Sequence, residues 1–148
     1  MLGQQALRRS RCCIVSPDSQ ATACPPSGRN STYRPVQISE TSSDIAARYG
    51  GEEFAIILPN TTLRQGLTVP DHIRRAVMGK ELMKRSTRES LGRVTISVGV
   101  AGWRRGDTAQ TLLERTDSCL YAAKRGGRNR VVCESDPEMT GPAKAQVA

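Results

Sequence analysis

Apolar and polar residues alternate regularly only from about Asp44 onward. Two apolar runs, at residues 45–47 and 54–58, flank a Gly-Gly pair. Adjacent glycines supply the positive φ angles that tight hairpin turns require, so this pattern predicts a β-hairpin over residues 44–58. The next segment, residues 59–62, is a turn signal in which a threonine or asparagine can cap a helix.

A helix is predicted over residues 70–85, because Pro70 suits a first helical turn and apolar residues recur on one side. These apolar residues are Ile73, Val77, Leu82 and Met83. After a polar turn, residues 94–101 alternate between β-branched apolar and small or polar residues, which predicts a half-buried strand. Its apolar face consists of Val94, Ile96, Val98 and Val100. Gly99 indicates a close approach of another backbone segment or a bulge.

A second helix is predicted to begin at a cap formed by Asp107 or Thr108 and to end at the glycine pair 126–127. Its apolar face consists of Leu112, Leu113, Leu120 and Ala123. A short strand at residues 129–133 closes the pattern. The order β-β-α-β-α-β predicts an α+β fold with a mixed or antiparallel sheet.

The two ends of the chain have no such pattern. Residues 1–43 are rich in proline, serine, threonine and arginine without a sustained period, which predicts a disordered basic extension. Residues 134–148 are polar, with two prolines, and we expect a disordered tail. The predicted domain therefore covers residues 44–133.

Composition narrows the classes of partner. The 148 residues suffice for one domain with a modest core, and a net charge of +8 suits anionic ligands. Aromatic residues make up only 3%, so platforms for stacking nucleic-acid bases are scarce and a nucleic-acid partner is not favoured. Five cysteines without CxxC spacing favour neither a zinc site nor a disulfide framework. Neither a signal peptide nor a membrane segment is predicted, and we expect a cytoplasmic chain.

The chemistry-bearing stretch is Gly50-Gly51-Glu52-Glu53 at the predicted hairpin turn. Glycine allows a bulky anionic ligand to lie against the main chain, and adjacent carboxylates can hold a hard cation such as Mg²⁺. The stretch therefore indicates a metal–nucleotide site. The alternative is a plain hairpin with a solvated acidic turn, because Gly-Gly hairpins are common.

Three segments together resemble one family. Residues 48–54, Arg-Tyr-Gly-Gly-Glu-Glu-Phe, resemble the signature of the GGDEF-domain diguanylate cyclases in its Glu-Glu form. Residues 94–101 resemble the strand that follows it in that family. Residues 117–129 resemble the family's late helix, Asp-x-Ala-Leu-Tyr-x-Ala-Lys-x-x-Gly-Arg-Asn. Order and spacing also agree, and the resemblance covers residues 44–133.

The resemblance implies a fold and an activity. The family fold is an antiparallel, ferredoxin-like sheet wrapped by helices, similar to the palm of nucleotide cyclases and polymerases. Two domains meet as a homodimer, each holding one GTP, and the 3′-hydroxyl of each GTP attacks the α-phosphate of the other. This nucleotidyl transfer yields cyclic di-GMP, a bacterial signal, and pyrophosphate. The implied cofactor is Mg²⁺ or Mn²⁺.

The resemblance also assigns roles at the hairpin. Glu52 is implied to bind the metal and to assist deprotonation of the hydroxyl. Glu53 is implied to support the metal or the region of the α-phosphate. Gly50 and Gly51 are implied to let the nucleotide lie on the hairpin.

Further roles concern the substrate and feedback. Lys124 and Arg128 match the family's triphosphate-contacting pair, although cations also favour a helix C-terminus for electrostatic reasons alone. The family's inhibitory site uses Arg-x-x-Asp ahead of the signature. Here Asp44 is present, Thr41 replaces the arginine and Arg48 offers a remaining cation. We therefore expect no strong feedback inhibition.

One part of the family pattern is missing from residues 1–43. The family's first strand carries a metal-binding Asp-x-Asp-x-Phe-Lys, and the next helix carries Asn and Asp residues that hold guanine. Asp18 and Asn30 do not have the matching neighbours. This predicts an N-terminally incomplete domain, as a truncated or misread gene start would produce.

Two functions of different classes stay open. The first is a Mg²⁺-dependent diguanylate cyclase. The second is a degenerate domain that binds GTP or a partner protein without turnover, which the missing strand favours. A nucleic-acid binder is less favoured, because the chain has no recognisable motif for it.

Overall fold

The structure, a computed structural model, describes residues 10–18, 44–84 and 86–140. Within these residues the chain forms seven strands and three helices in the order β-β-β-α-β-β-β-α-β-α. The strands are β1 Arg11–Pro17, β2 Ile45–Gly50, β3 Glu53–Leu58, β4 Glu81–Met83, β5 Ser90–Arg93, β6 Ile96–Gly102 and β7 Val131–Cys133. The helices are α1 Leu63–Met78, α2 Ala109–Arg125 and α3 Pro137–Thr140.

Five strands form one mixed sheet in the order β2-β3-β1-β6-β7. The β6–β7 pair is parallel and the other pairs are antiparallel. Helices flank this sheet, which confirms the predicted α+β class. The remaining strands, β4 and β5, pair only with each other.

The central strand β1 lies where the sequence predicted disorder, so that prediction is wrong for Arg11–Pro17. The inference that the domain lacks its first strand is also wrong. Four consecutive apolar residues of β1 are buried, and a strand covered on both faces has a continuous apolar run without alternation. These residues are Cys12, Cys13, Ile14 and Val15. Residues 1–9 and 19–43, from which the sequence predicted that the family's guanine-binding helix is missing, lie outside the described residues.

The two faces of the sheet are covered by different helices. On one face Cys13, Val98 and Val100 belong to a cluster against which α1 packs with Leu67, Val69, Ile73 and Val77. On the other face, Cys12 and Ala101 pack with Leu112 of α2. The core also contains buried thiols, and burial raises the pKa of Cys119 to about 12, so this group is neutral at pH 7.

Gly99 lets α2 lie directly on β6. A Cβ atom added at this position would lie 2.2 Å from the carbonyl oxygen of Thr116 and 2.4 Å from the amide nitrogen of Leu120. The close backbone approach predicted from the sequence is therefore confirmed. The strand begins at Ile96, so Val94 precedes the strand in which it was predicted to lie.

Helix α1 differs from the prediction at both ends. It begins at Leu63 because Thr62 and Gln65 form a capping box, and it ends at Met78, where Gly79 caps it. Pro70 therefore lies inside the helix and not in its first turn. Residues 81–83, predicted to continue the helix, form β4, and Met83 there is exposed.

Helix α2 agrees closely with its prediction. Thr108 is the N-cap, Gly126 is the C-cap, and the predicted apolar residues Leu112, Leu120 and Ala123 are buried. Beyond β7, the disorder predicted from residue 134 is wrong as far as residue 140, where α3 ends. In the described part of the chain, no helix is both long enough and apolar enough to span a membrane.

Candidate functional site

The tip of the β2–β3 hairpin is open backbone beside two carboxylates. Gly51 has a φ of +46°, as the predicted turn requires, and a Cβ atom on Gly50 or Gly51 would meet nothing within 4 Å. Arg48 fastens this tip, because its Nε donates to the Gly51 carbonyl oxygen at 2.8 Å and its Nη2 donates to the same oxygen. The carboxylate of Glu52 is exposed at the turn.

The end of α2 meets this hairpin through an ion pair. Lys124 Nζ lies 3.7 Å from Glu53 Oε1, and the two side chains are 32% and 31% exposed. The acidic and basic sequence motifs, which are far apart in the chain, therefore form one surface. Because each side chain is only partly buried, a ligand can reach both groups.

Arg128 follows α2 in a strained turn. Arg128 and Asn129 have φ angles of 59° and 46°, a region that residues other than glycine rarely adopt. The Arg128 amide donates to the Ala123 carbonyl oxygen at 3.1 Å and continues the helix cap. Its side chain is exposed, and within the described residues it forms no ion pair with a carboxylate. It is therefore a second cation open to an anionic ligand.

Ser16 is the next-to-last residue of β1 and lies beside the hairpin. The register of β1 with β3 runs from Arg11–Leu58 to Val15–Phe54, so its continuation brings Ser16 opposite Glu53. On the other side, Ser16 pairs with Ser97. Ser16 is fully buried, and its hydroxyl has no hydrogen-bond partner in the described part of the chain. A neutral side chain therefore stands between Glu53 and β6.

The donor set fits a metal ion that arrives with its ligand. Within residues 10–18, 44–84 and 86–140, no group of three or more His, Cys, Asp or Glu side chains is placed to hold a metal. Glu52 and Glu53 are the carboxylates at the hairpin tip. Mg²⁺ commonly binds through one or two carboxylates together with substrate phosphates, so Glu52 and Glu53 are the residues that would hold Mg²⁺ bound to a triphosphate.

The residues of the expected inhibitory site are only partly described. Thr41 lies outside the described residues, and Asp44 directly precedes β2. The guanidinium of Arg48 is engaged by the Gly51 carbonyl. Weak feedback inhibition stays a prediction.

The sequence pattern assigned no role to Asp18, which directly follows β1 in the structure. Its carboxylate accepts hydrogen bonds from Thr95, Ser97 and the amide of Asn129. An aspartate three residues after the apolar run 12–15 was the available signal, but its neighbours did not fit the family motif. On the α1 side of the sheet, a separate open depression is lined in part by Leu67 and Arg74. It does not include the hairpin residues.

A mixed five-stranded sheet with flanking helices, an acidic hairpin and a cationic helix end defines a palm-like nucleotidyl cyclase domain. Residues 35–130 match the family described as diguanylate cyclase, GGDEF domain. The match covers more than half of the chain, so this chain belongs to the GGDEF family.

Two curated relatives show how much of a longer protein the match covers. The response regulator PleD of Caulobacter vibrioides is 46% identical over 90 residues, which are 60% of this chain and 20% of PleD. Diguanylate cyclase A of Treponema denticola is 41% identical over 91 residues, which are 61% of this chain and 24% of the relative. The chain thus spans about a fifth to a quarter of these proteins.

Solved structures confirm the fold. The GGDEF domain of DgcB from Caulobacter crescentus, in complex with c-di-GMP, has a TM-score of 0.66 and 31% identity over 86% of this chain and 79% of that chain. Diguanylate cyclase SiaD, in complex with its activator SiaC from Pseudomonas aeruginosa, has a TM-score of 0.67 and 29% identity over 85% of this chain and 50% of that chain.

Proposed function

We propose that this domain condenses two molecules of GTP into cyclic di-GMP with release of pyrophosphate, acting as a homodimer in a signalling role with Mg²⁺ or Mn²⁺. The observation that carries the proposal is the contact between Lys124 and Glu53. It joins the two motifs of the family at a hairpin whose backbone is open to a ligand. Membership in the GGDEF family supports the same reaction class.

The proposed roles follow from the charges of the site. Phosphoryl-type transfer depends on positioning and charge neutralisation more than on covalent help from the protein. Lys124 and Arg128 neutralise the triphosphate, and the open glycines Gly50 and Gly51 admit it against the backbone. Glu52 accepts the proton of the attacking 3′-hydroxyl, and Glu53 orients the phosphate region. When bound, a divalent metal stabilises the charge on the nucleophile and the leaving oxygen.

The ion pair at the site is suited to ligand exchange. Pairs that are this exposed contribute roughly 0–1 kcal/mol, because water competes with the partners. Lys124 can therefore leave Glu53 for a phosphate at little cost. The carboxylate of Glu53 is then released to bind a cation that accompanies the nucleotide.

The test is the formation of cyclic di-GMP from GTP by the purified chain with Mg²⁺. We expect wild-type protein to form product and Glu52→Ala to form none, because this change removes the group that accepts the hydroxyl proton. Glu114→Ala is the matched control, since Glu114 is an exposed carboxylate on α2 that bonds only Gln110 among the described residues. Equal product from wild type and Glu52→Ala would contradict the assigned role.

A second candidate function is a GTP-binding or partner-binding regulatory module without turnover. It is favoured by the neutral Ser16 beside Glu53, which leaves the described site with few carboxylates. This module would bind GTP with a dependence on Lys124 but would form no cyclic di-GMP. Binding without product from well-folded protein would therefore favour it over the cyclase.

A further inference from the structure

The carboxylate of Asp18 joins three parts of the chain that are distant in sequence. Oδ1 accepts from Ser97 Oγ at 2.6 Å, and Oδ2 accepts from Thr95 Oγ1 at 2.8 Å. Oδ2 also accepts from the backbone amide of Asn129 at 2.9 Å, across 111 positions of sequence. The Asp18 amide donates to the Thr95 carbonyl oxygen at 2.9 Å. Two hydroxyls, one on β6 and one from the residue directly before it, thus fix the carboxylate, and Oδ2 also accepts from the turn after α2.

That turn needs external support. Positive φ at two consecutive non-glycine residues, Arg128 and Asn129, costs on the order of 1 kcal/mol or more for each. The surrounding structure must compensate for this cost. Asp18 does so from β1, and Arg74 of α1 does so by donating from Nη1 to Asn129 Oδ1 at 3.0 Å. The turn is therefore held by two side chains from other parts of the chain, Asp18 and Arg74.

We infer that Asp18 is a positioning residue for nucleotide binding: it fixes the Arg128–Asn129 turn and thereby the backbone from which the Arg128 cation projects. This inference rests on the proposed function, in which Arg128 contacts the triphosphate. Asp18 itself does not touch the ligand. Its contribution passes through the Asn129 amide, which directly follows Arg128 in the chain.

The sign of the effect separates positioning from simple electrostatics. A carboxylate near a phosphate site repels the ligand, so its removal alone would strengthen GTP binding. Loss of positioning would weaken binding, because Arg128 would then have to be ordered at the moment of binding. We expect Asp18→Ala to weaken GTP affinity about tenfold, measured by titration calorimetry with Mg²⁺ on protein that circular dichroism shows to be folded.

Asp107→Ala is the matched control for lost stability. Asp107 is also a carboxylate with several donors, but it lies before the opposite end of α2. We expect it to change GTP affinity by less than twofold. Asp18→Asn is the conservative variant, because its amide oxygen can still accept from Asn129 and Thr95 while its NH₂ group donates to the Ser97 oxygen. It should keep GTP affinity within about threefold of wild type.

A double-mutant cycle tests whether the effect passes through Arg128. In an Arg128→Ala background, Asp18→Ala should cost less than twofold in GTP affinity. A full tenfold loss in that background, or unchanged or tighter binding from Asp18→Ala alone, would overturn the inference while leaving the proposed function intact. If wild type and Arg128→Ala bind GTP equally, the proposed role of Arg128 fails, and the positioning role falls with it.

A second variant serves if Asp18→Ala does not fold. The double variant Ser97→Ala with Thr95→Val keeps the charge of Asp18 but removes both hydroxyls that donate to its carboxylate. We expect several-fold weaker GTP binding and faster hydrogen exchange at the Asn129 amide, which a loss of charge cannot explain. Unchanged affinity and exchange would overturn the positioning role.

Discussion

Single residues determine how closely α2 approaches the sheet and how the hairpin tip meets a ligand. At Gly99 the absence of a side chain lets the backbone of α2 lie against β6. At Gly50 and Gly51 the same absence leaves the tip open to solvent. The missing side chain therefore allows close helix–strand packing at Gly99 and leaves room for a ligand at the hairpin tip.

Gly99→Ala should lower the free energy of unfolding by about 2–3 kcal/mol, because the new methyl group would collide with backbone atoms of α2 that cannot rotate away. Urea denaturation measures the change. Gly50→Ala is the control, since an added Cβ atom there meets nothing within 4 Å, and we expect a change of at most about 0.5 kcal/mol. Equal losses from the two variants would contradict the packing argument.

Lys124→Ala should weaken GTP affinity about tenfold or more, since it removes a charge-assisted contact to the triphosphate. Titration calorimetry measures the change. Arg125→Ala removes the same charge one residue later, where the guanidinium lies 5.8 Å from the Tyr121 ring centroid and away from Glu53. We expect that control to remain within about twofold of wild type. A similar loss in both would indicate a general effect of net charge.

At the scale of elements, the sequence predicted the helices and strands that have a recognisable local sequence pattern. The hairpin and α2 have glycine punctuation, caps and one-sided apolar faces, and both formed as predicted. Strand β1 was missed because it is buried on both faces and so carries no alternation. The start of α1 was missed because Pro70 was assigned to a first turn, whereas the capping box at Thr62 begins the helix earlier.

One half-buried ion pair, between Asp107 and Arg115, holds the loop before α2 to the body of that helix. Arg115 donates from Nη1 and Nη2 to the two carboxylate oxygens of Asp107, each at 2.7 Å, and from Nη2 to the Gly102 carbonyl oxygen. Its Nε also bonds Glu134, beyond β7. The hydrogen bonds from Arg115 hold the pKa of Asp107 well below its usual range, and the Arg104 amide adds to this effect.

Asp107→Asn should lower the free energy of unfolding by about 2 kcal/mol at pH 7, less than a fully buried pair loses, because Arg115 keeps Glu134. The folded pKa of Asp107 lies below the unfolded value of about 3.9, so its contribution is complete above roughly pH 5 and is lost as pH falls through the folded pKa. The difference in the free energy of unfolding between Asp107→Asn and wild type should therefore become smaller only at acidic pH.

Urea denaturation between about pH 3 and pH 8 tests this pH dependence. Asp117→Asn is the matched control, because Asp117 is an exposed aspartate of the same helix. It should unfold like wild type at every pH. A gap that widens in acid would contradict the assignment to Asp107.

At the scale of the whole molecule, the fold joins sites that no local pattern connects. The hairpin carboxylates and the cations at the C-terminal end of α2 could be singled out because each set lies in a compact motif. Asp18 could not, because its partner Asn129 is 111 positions away and only the sheet brings them together. Ser16 was missed for the same reason, since its place opposite Glu53 depends on the register of β1.

The domain boundary predicted at Asp44 leads to a test of the whole fold. A fragment of residues 44–140 should show no cooperative unfolding transition, because β3 and β6 both lose their pairing with β1. Four buried apolar side chains of β1 are removed. Each contributes about 1.5–3 kcal/mol for a residue of valine or isoleucine size and less for cysteine, and their sum is comparable with a typical total stability of about 5–15 kcal/mol. Thermal denaturation followed by circular dichroism measures this.

A fragment of residues 1–140 is the control and should unfold cooperatively, since it retains every described element. A dispersed amide NMR spectrum from the 44–140 fragment would show that the sheet forms without β1. That result would restore the boundary predicted from the sequence.

The central position of β1 has a consequence for folding kinetics. Strand β1 pairs with β6 over its full length. During synthesis β1 is made long before β6, so it has no β6 partner until most of the domain has been synthesised. Contacts between residues so distant in sequence slow folding, because the closure of long loops precedes any gain from packing. The Asp18–Asn129 contact needs nearly the whole domain in place. We therefore expect the domain to acquire nucleotide affinity in a single late step of folding, so that nucleotide binding indicates that folding is complete.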